Sequence, residues 1–362
     1  MPSKPEKQFK IAVCDSGRDF RGGQRQSFNL ATGLRNNSMD VQAFCPTDSP
    51  LMTKFREADI NASAIAYNAI KLPIDARILA RKLQNDSVDI FQASDSHSHN
   101  IGAFVKRFYS GIKLVVTIRT CFGKPNPFKK LLKYSDRSVD KFVAISSAVK
   151  NNLIEMGISE DSIEFIYSCY DSTYFNKTGR TESKALRIGS AGSLESGKGV
   201  GTVIDALSRL KEKIGSFKFM VAGEGPERNR FEQQARDCGL DDNVEFCGFV
   251  QDMAGFYRNL DLYILASQSE GLGSSLLEAG ACGAVPISSK AGGTVDIIED
   301  GINGRLISVV DADELADIIY ELSKNPEMRS KFQKEFDKKL LQFDKKYMVE
   351  KYIKLYRKLL ES

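Results

Sequence analysis

Residues 269–283 read SEGLGSSLLEAGACG, and the pattern around them decides the fold. The apolar run 262–266 feeds into them and reads as a strand. Gly271, Leu272 and Gly273 then make a glycine turn, and Ser274 or Ser275 is a natural N-cap for a helix. Glu270 therefore lies in the turn, and Glu278 about one turn inside the helix. A strand, a glycine turn and a helix N-terminus form a ready anion pocket, because free backbone N–H groups and the helix dipole both favour negative charge. Glu278 is the odd residue, flanked by Leu276, Leu277, Ala279 and Ala281 on a helix that reads as mostly buried. A buried carboxylate is costly without donors, and the vicinal hydroxyls of a ribose would supply them. The plainer reading is an N-terminal helical acid favoured by the dipole alone.

Working outward, strands alternate with helical stretches along the whole chain, which predicts parallel sheets covered on both faces. In the first half, apolar strands are expected at 9–14, 41–45, 62–67, 88–92, 113–118, 142–145 and 163–167. In the second, they are expected at 186–191, 217–222, 244–250, 262–266 and 285–288. A polar stretch at 176–184 reads as a linker, and a chain of 362 residues exceeds the usual limit of a single core. The expected architecture is α/β, two tandem doubly wound Rossmann-like domains facing a cleft. An N-terminal domain spans 1–178 and a C-terminal domain 184–340, followed by a terminal helix at 341–362. Ligands then belong at the carboxyl ends of the strands.

Composition narrows the class. The chain is 42% hydrophobic and 27% charged, and no apolar run approaches the length of a membrane-spanning helix. Its start, MPSKPEKQFK, has no signal-peptide core. Seven cysteines are scattered without CxxC spacing and read as reduced core residues of a cytoplasmic protein, with no metal site. Charge is uneven: residues 1–180 hold 26 Lys/Arg against 18 Asp/Glu, and the remainder 25 against 29. A basic first half suits an anionic partner, whether phosphate, acidic sugar or membrane surface. Nucleic acid is not expected, since no binding motif accompanies the charge.

Several motifs exclude themselves. The run 192–198, GSLESGK, approaches a P-loop, but Gly199 stands where Ser or Thr would bind magnesium. Gly22-Gly23 lacks the spacing of a dinucleotide fingerprint, and 223–228, GEGPER, breaks the pattern with Arg at its last position. Asp311-Ala312-Asp313 opens a helix, where carboxylates cap and complement the dipole. Four features remain, all at strand ends. Gly22-Gly23 would let backbone approach a ligand closely. Lys198 would neutralise a diphosphate, and Gly223 and Gly225 form a third turn. Glu270 and Glu278 would accept from sugar and ribose hydroxyls.

Together these stretches resemble the nucleotide-binding domain of the group 1 retaining glycosyltransferases of the GT-B fold. The resemblance rests on GSLESGKG at 192–199, GEGPER at 223–228, EGLGSSLLE at 270–278, ACGAVP at 281–286 and GGTVDIIEDGINGRLI at 292–307. It covers 184–310, and the first half more loosely through Gly22-Gly23 and the region of His97. It implies a nucleotide-diphosphate sugar (UDP-sugar, with GDP- or ADP-sugar as alternatives) in the second domain and an acceptor in the first. The final helix would return to the N-terminal domain, and no cofactor or metal is implied. Position by position, Glu278 would hold the ribose and Glu270 the transferred sugar. Lys198 and the N–H groups of Leu272, Gly273, Ser274 and Ser275 would hold the diphosphate. Gly248, Phe249 and Val250 would lie along the base, and Gly22-Gly23 would complete the diphosphate site.

This chain departs from the family pattern twice. Ser193 stands where the family carries a second phosphate-clamping Arg, and Arg119 stands where it often carries a His. Arg119, Arg21 or Arg25 would restore the charge. The only histidines, His97 and His99, lie in DSHSH at 95–99. Asp95 and His97 are the candidates for touching the acceptor hydroxyl or the transferred sugar, unless the pair simply decorates a surface loop. Residues 124–137 interleave basic and aromatic or aliphatic side chains. They fit either an anionic membrane presenting a lipid-linked glycan or an ordinary amphipathic helix. The implied activity is retaining transfer of a hexosyl group to a glycan or glycolipid acceptor, in lipopolysaccharide or other surface-glycan synthesis on the inner face of the plasma membrane. A nucleotide-sugar epimerase and a catalytically weak nucleotide-sugar-binding protein are the alternatives.

Overall fold

The computed structural model describes residues 9–65, 71–121, 134, 138–180 and 183–361. The chain divides into two compact units, Met1–Cys169 with Lys345–Ser362, and Tyr170–Asp344. The first unit holds β1 (Lys10–Cys14), β2 (Asp40–Cys45), β3 (Asn61–Ala64), β4 (Ile90–Ala93), β5 (Lys113–Ile118), β6 (Lys141–Ala144) and β7 (Ile163–Phe165). They form one sheet in the order β3-β2-β1-β4-β5-β6-β7, parallel throughout. The second unit holds β8 (Leu186–Ala191), β9 (Phe217–Ala222), β10 (Val244–Gly248), β11 (Leu262–Leu265), β12 (Val285–Ser289) and β13 (Arg305–Ile307). Their order is β10-β9-β8-β11-β12-β13, again parallel.

Central strands such as Ile90–Ala93 and Leu262–Leu265 are buried at every position. Apolar runs without alternation have this outcome when helices cover both faces of a parallel sheet. Strand order reverses direction between β1 and β4 in one unit and between β8 and β11 in the other. Each is a switch point, where the loops leaving two neighbouring strands diverge and leave a crevice.

The C-terminal helix Lys345–Glu361 belongs to the first unit. Its buried face (Met348, Val349, Tyr352, Ile353, Tyr356, Leu359) joins the core of helix Gly22–Asn36 and β1. Gly33 lets the two helices meet, since a Cβ there would stand 2.3 Å from Val349 Cγ2. A buried polar chain ties this helix to the sheet. Tyr356 Oη donates to Gln92 Oε1 at 2.8 Å, Gln92 Nε2 donates to Thr117 Oγ1 at 2.9 Å, and Thr117 Oγ1 lies 2.7 Å from Tyr352 Oη.

Residues 170–178, expected with the first domain, lie in the second unit. Their hydrogen bonds hold them there: Tyr170 N–H to Phe343 O at 3.1 Å, Arg258 Nε to Asn176 O at 3.0 Å, and Lys177 Nζ to Asp337 at 2.6 Å. The third strand ends at Ala64, and the stretch 124–137 lies outside the described residues apart from Tyr134. Cys14, Cys45, Cys169 and Cys282 are buried, whereas Cys121 is exposed rather than part of the core. Asp311 caps helix Ala312–Lys324 by accepting from Glu314 N–H at 2.9 Å, the structural role its position suggests. Among the described residues no helix is long and apolar enough to cross a membrane.

Candidate active site

In the second unit the loops of the switch point gather most of the candidate residues. After β11 the chain runs through Ser267–Gly273 into helix Ser274–Ala281. The N-cap is Gly273, not a serine: its φ of 90° is left-handed, a conformation glycine adopts without a Cβ penalty. Ser274 and Ser275 are thus the first two helical residues, and no side chain caps the helix. A helix end without a side-chain cap leaves N–H groups for other partners. One turn in, Glu278 is 6% exposed, with Tyr257 Oη donating to its Oε2 at 3.4 Å. Tyr263, beside this helix, has its phenol pushed up by burial, with Glu278 and Glu270 adding to the rise.

Lys198 and Glu270 meet across the crevice, Nζ to Oε1 at 2.8 Å. The sequence assigned them separate ligand groups; the fold makes them an ion pair, because the loops after β8 and β11 are neighbours. Backbone packing sets the pair. Gln268 N–H donates to Gly197 O at 2.9 Å, and Gly199, at φ 76°, lies where a Cβ would be 2.0 Å from Ala266 O. On the other side Gly292, at φ 59°, would place a Cβ 1.8 Å from Glu270 O. Gly223 and Gly225 lie against the backbone of Gly192 and Leu194, so the turn after β9 nests on the turn after β8. A pocket is lined here by Gly192, Ser193, Leu194 and Lys198. Ser193 donates its hydroxyl to Glu195 Oε1 at 2.5 Å. Gly248 accepts from Gly223 N–H at 2.7 Å, and next to it Phe249 is 78% exposed beside half-buried Val250.

The first unit treats its candidates differently. Asp95 is the N-cap of helix Ser96–Phe108. Its carboxylate accepts from Ser16 N–H (2.6 Å), Ser16 Oγ (2.7 Å), His97 N–H (2.7 Å) and Ser98 N–H (3.0 Å). These four donors hold Asp95 in place as the cap of this helix. His97 is exposed on the first turn of that helix, whereas His99 packs on the rings of Tyr134 and Phe142 at 5.3 and 5.9 Å. Gly22 and Gly23 are the first residues of helix Gly22–Asn36 rather than a tight turn, and a Cβ on Gly23 would meet nothing within 4 Å. Arg119 donates Nε–H to Ser94 O at 3.1 Å and Nη2–H to Ser27 Oγ at 3.3 Å. Sequence reasoning missed Gln92, Thr117, Tyr352 and Tyr356. Their signals were a glutamine inside an apolar strand and two tyrosines four residues apart.

The family model "Glycosyl transferases group 1" matches residues 172–339, and "Glycosyltransferase Family 4" matches residues 20–174. The chain belongs to the group 1 glycosyltransferases. This glycosyltransferase is 27% identical over 290 residues to N-acetyl-alpha-D-glucosaminyl L-malate synthase of Bacillus anthracis, covering 76% of the chain and 75% of that protein. To the lipopolysaccharide core biosynthesis glycosyltransferase LpsE of Rhizobium meliloti it is 28% identical over 176 residues, 48% of the chain and 51% of that protein. Among solved structures it is similar to Anabaena HepE in complex with UDP-glucose, with a TM-score of 0.85 and 19% identity over 97% of the chain and 100% of the other. The fold of this glycosyltransferase is therefore the two-domain α/β fold of GT-B enzymes.

Proposed function

We propose that this glycosyltransferase binds a UDP-sugar in its second unit and transfers the sugar, with retention, to a glycan or lipid-linked acceptor in surface-glycan assembly. The observation that carries the reading is buried Glu278 one turn below the uncapped N-terminus of helix Ser274–Ala281, beside the Lys198–Glu270 pair. A ribose would add its vicinal hydroxyls to the donors around Glu278, further offsetting the cost of a buried carboxylate. A diphosphate would sit at the helix N-terminus and draw Lys198 from Glu270, freeing Glu270 for hydroxyls of the transferred sugar. Phe249, Val250 and the glycines at 223 and 225 would border the base and phosphates. In a front-face substitution the acceptor oxygen bonds to the anomeric carbon as the bond to the diphosphate breaks, and a diphosphate oxygen takes the acceptor proton. Such chemistry needs no carboxylate nucleophile, unlike retaining glycosidases. The work left to the protein is positioning and neutralising the leaving charge, which Lys198 and the helix N-terminus suit without a metal.

UDP is favoured as the nucleotide because HepE is a fold neighbour with UDP-glucose bound. LpsE, a relative named for lipopolysaccharide core biosynthesis, supports a surface-glycan product. The basic excess in residues 1–180 supports peripheral association with an anionic membrane bearing a lipid-linked acceptor. The test is thermal stabilisation by a panel of UDP-, GDP-, ADP- and TDP-sugars, with Glu278→Ala as the control. Saturating ligand should raise stability by RT ln(1 + [L]/Kd), ~2.7 kcal/mol at about a hundredfold excess over Kd. Stabilisation by UDP-sugars that vanishes in the variant supports the reading, and an unchanged shift in the variant rejects the ribose role.

A further inference from the structure

We propose that Arg119 and the pocket it lines in the first unit hold an oxyanion, a carboxylate or phosphate group carried by the acceptor. The proposal rests on the reading of the chain as a transferase with an acceptor bound in this unit. Arg119 directly follows β5, and its side chain is anchored on one edge. Nε–H is committed to Ser94 O and one Nη2 hydrogen to Ser27 Oγ, whose own hydroxyl donates to Asp15 Oδ2 at 2.5 Å. The other edge of the guanidinium, Nη1 with the second Nη2 hydrogen, presents the parallel N–H pair that matches an oxyanion.

No carboxylate among the described residues forms an ion pair with Arg119. Arg258 and Arg329, also half-buried, are likewise held by backbone carbonyls alone, whereas four others have a carboxylate. Arg180 and Arg187 share Asp261 at 2.9 and 3.4 Å, Arg228 has Glu232 at 2.9 Å, and Arg305 has Asp300 at 3.1 Å. A half-buried cation bonded only to a carbonyl and a hydroxyl lacks the counter-charge that normally offsets its desolvation.

The surroundings form a built pocket. Arg119, Thr117, Ser168 and Tyr352 provide polar groups against an apolar wall that includes Ile145 and Met348. Its walls are fixed before any ligand arrives. Thr117 is bonded to both Gln92 and Tyr352. The Gln26 amide, also in the lining, clasps the Cys169 backbone, accepting from its N–H at 2.8 Å and donating to its carbonyl at 2.6 Å. An oxyanion seated against this lining would meet the open edge of the guanidinium. The acceptor recognised here therefore carries an acidic group, and Arg119 serves the acceptor rather than the donor diphosphate.

Full-length protein with Lys198→Ala, which removes the second unit's candidate phosphate ligand, is titrated at constant ionic strength with inorganic phosphate and separately with malonate. Thermal midpoint is the readout and chloride the reference. The expected result is saturable stabilisation whose affinity falls at least tenfold when Arg119→Gln is added. Arg119→Lys restores it only in part, because an ammonium has no fork; it also carries the comparison if Arg119→Gln does not fold. With Lys198 intact, UDP stabilisation of the Arg119 variants stays within about twofold of the parent. Stronger binding of phosphate identifies a phosphorylated acceptor and stronger binding of malonate a carboxylate-bearing one, and both support the proposal. It is overturned by the absence of saturable stabilisation, or by stabilisation that survives Arg119→Gln. Lost UDP affinity in that variant also overturns it, since the guanidinium then belongs to the donor. If the unsubstituted protein ignores every nucleotide sugar yet binds oxyanion through Arg119, the donor reading fails and the anion site stands.

Discussion

Among single residues, Glu278 and Val310 are at odds with their surroundings in different ways. Glu278 is an acid on a helix whose neighbours Leu276, Leu277 and Ala279 are fully buried. A charge-assisted hydrogen bond contributes ~1.5–3 kcal/mol, so Glu278→Gln is expected to weaken UDP-sugar affinity by roughly tenfold to a hundredfold. Calorimetric titration would show it, and an affinity within twofold of the parent would remove Glu278 from the donor site. Val310 has φ 63° and is 50% exposed, in the turn between β13 and helix Ala312–Lys324. The left-handed region costs an L-residue roughly 1–2 kcal/mol, and a β-branched side chain there is a clear outlier. After the entropic cost of glycine, roughly 0.5–1 kcal/mol, Val310→Gly is expected to raise stability by up to about 1 kcal/mol in denaturant unfolding. A loss would mean that packing of the Val310 side chain outweighs the strain.

At the scale of elements, the glycine turns divide into those the fold demands and those it does not. Gly292 is left-handed and its missing Cβ leaves room for Glu270 O. An alanine there must move the backbone that carries Glu270, so Gly292→Ala is expected to cost ~2 kcal/mol or more and to lower donor affinity with it. Gly23 has helical backbone and open space where a Cβ would stand. Helix propensity alone favours alanine by up to ~1 kcal/mol, so Gly23→Ala should leave the melting midpoint equal or raised. If it also depresses turnover, the glycine is kept for a ligand; unchanged turnover would make it incidental.

For the whole molecule, chain order matters. The second unit is continuous from Tyr170 to Asp344, whereas the first is completed only by Lys345–Ser362. A fragment 170–344 is expected to unfold cooperatively and to retain UDP binding. A fragment 1–169, lacking the helix that buries Val349, Tyr352 and Tyr356, is expected to show no cooperative transition by circular dichroism. The same helix makes stability sensitive to alkali. Burial holds Tyr352 up to about 12 against an ordinary value of 10, opposed in part by its Thr117 bond and by Arg119. Below pH 10 the phenol is protonated whether folded or unfolded, and its contribution is fully present. Between pH 10 and 12 the unfolded chain releases its proton first, so stability falls. Tyr170, held up to about 12 by burial, adds to the fall in the second unit. The midpoint should therefore drop above pH 10, less steeply in Tyr352→Phe, and an unaltered slope in that variant would show that Tyr352 does not titrate in this range.

Much of this molecule was legible in local pattern. Apolar strand runs and helical periodicity predicted two doubly wound domains, because parallel strands covered on both faces need continuous apolar stretches. Glycine turns and the pair Glu270 and Glu278 marked the candidate site, because turns and buried acids carry local signatures. Only the tertiary structure paired Lys198 with Glu270, since 72 residues of sequence separate two loops that become neighbours by strand order. It bonded Asp95, the cap of its helix, to Ser16, 79 residues away. It also brought Tyr352 to Thr117 across 235 residues. Hydrogen-bond partners so distant leave no periodicity in the chain, and packing alone selects them.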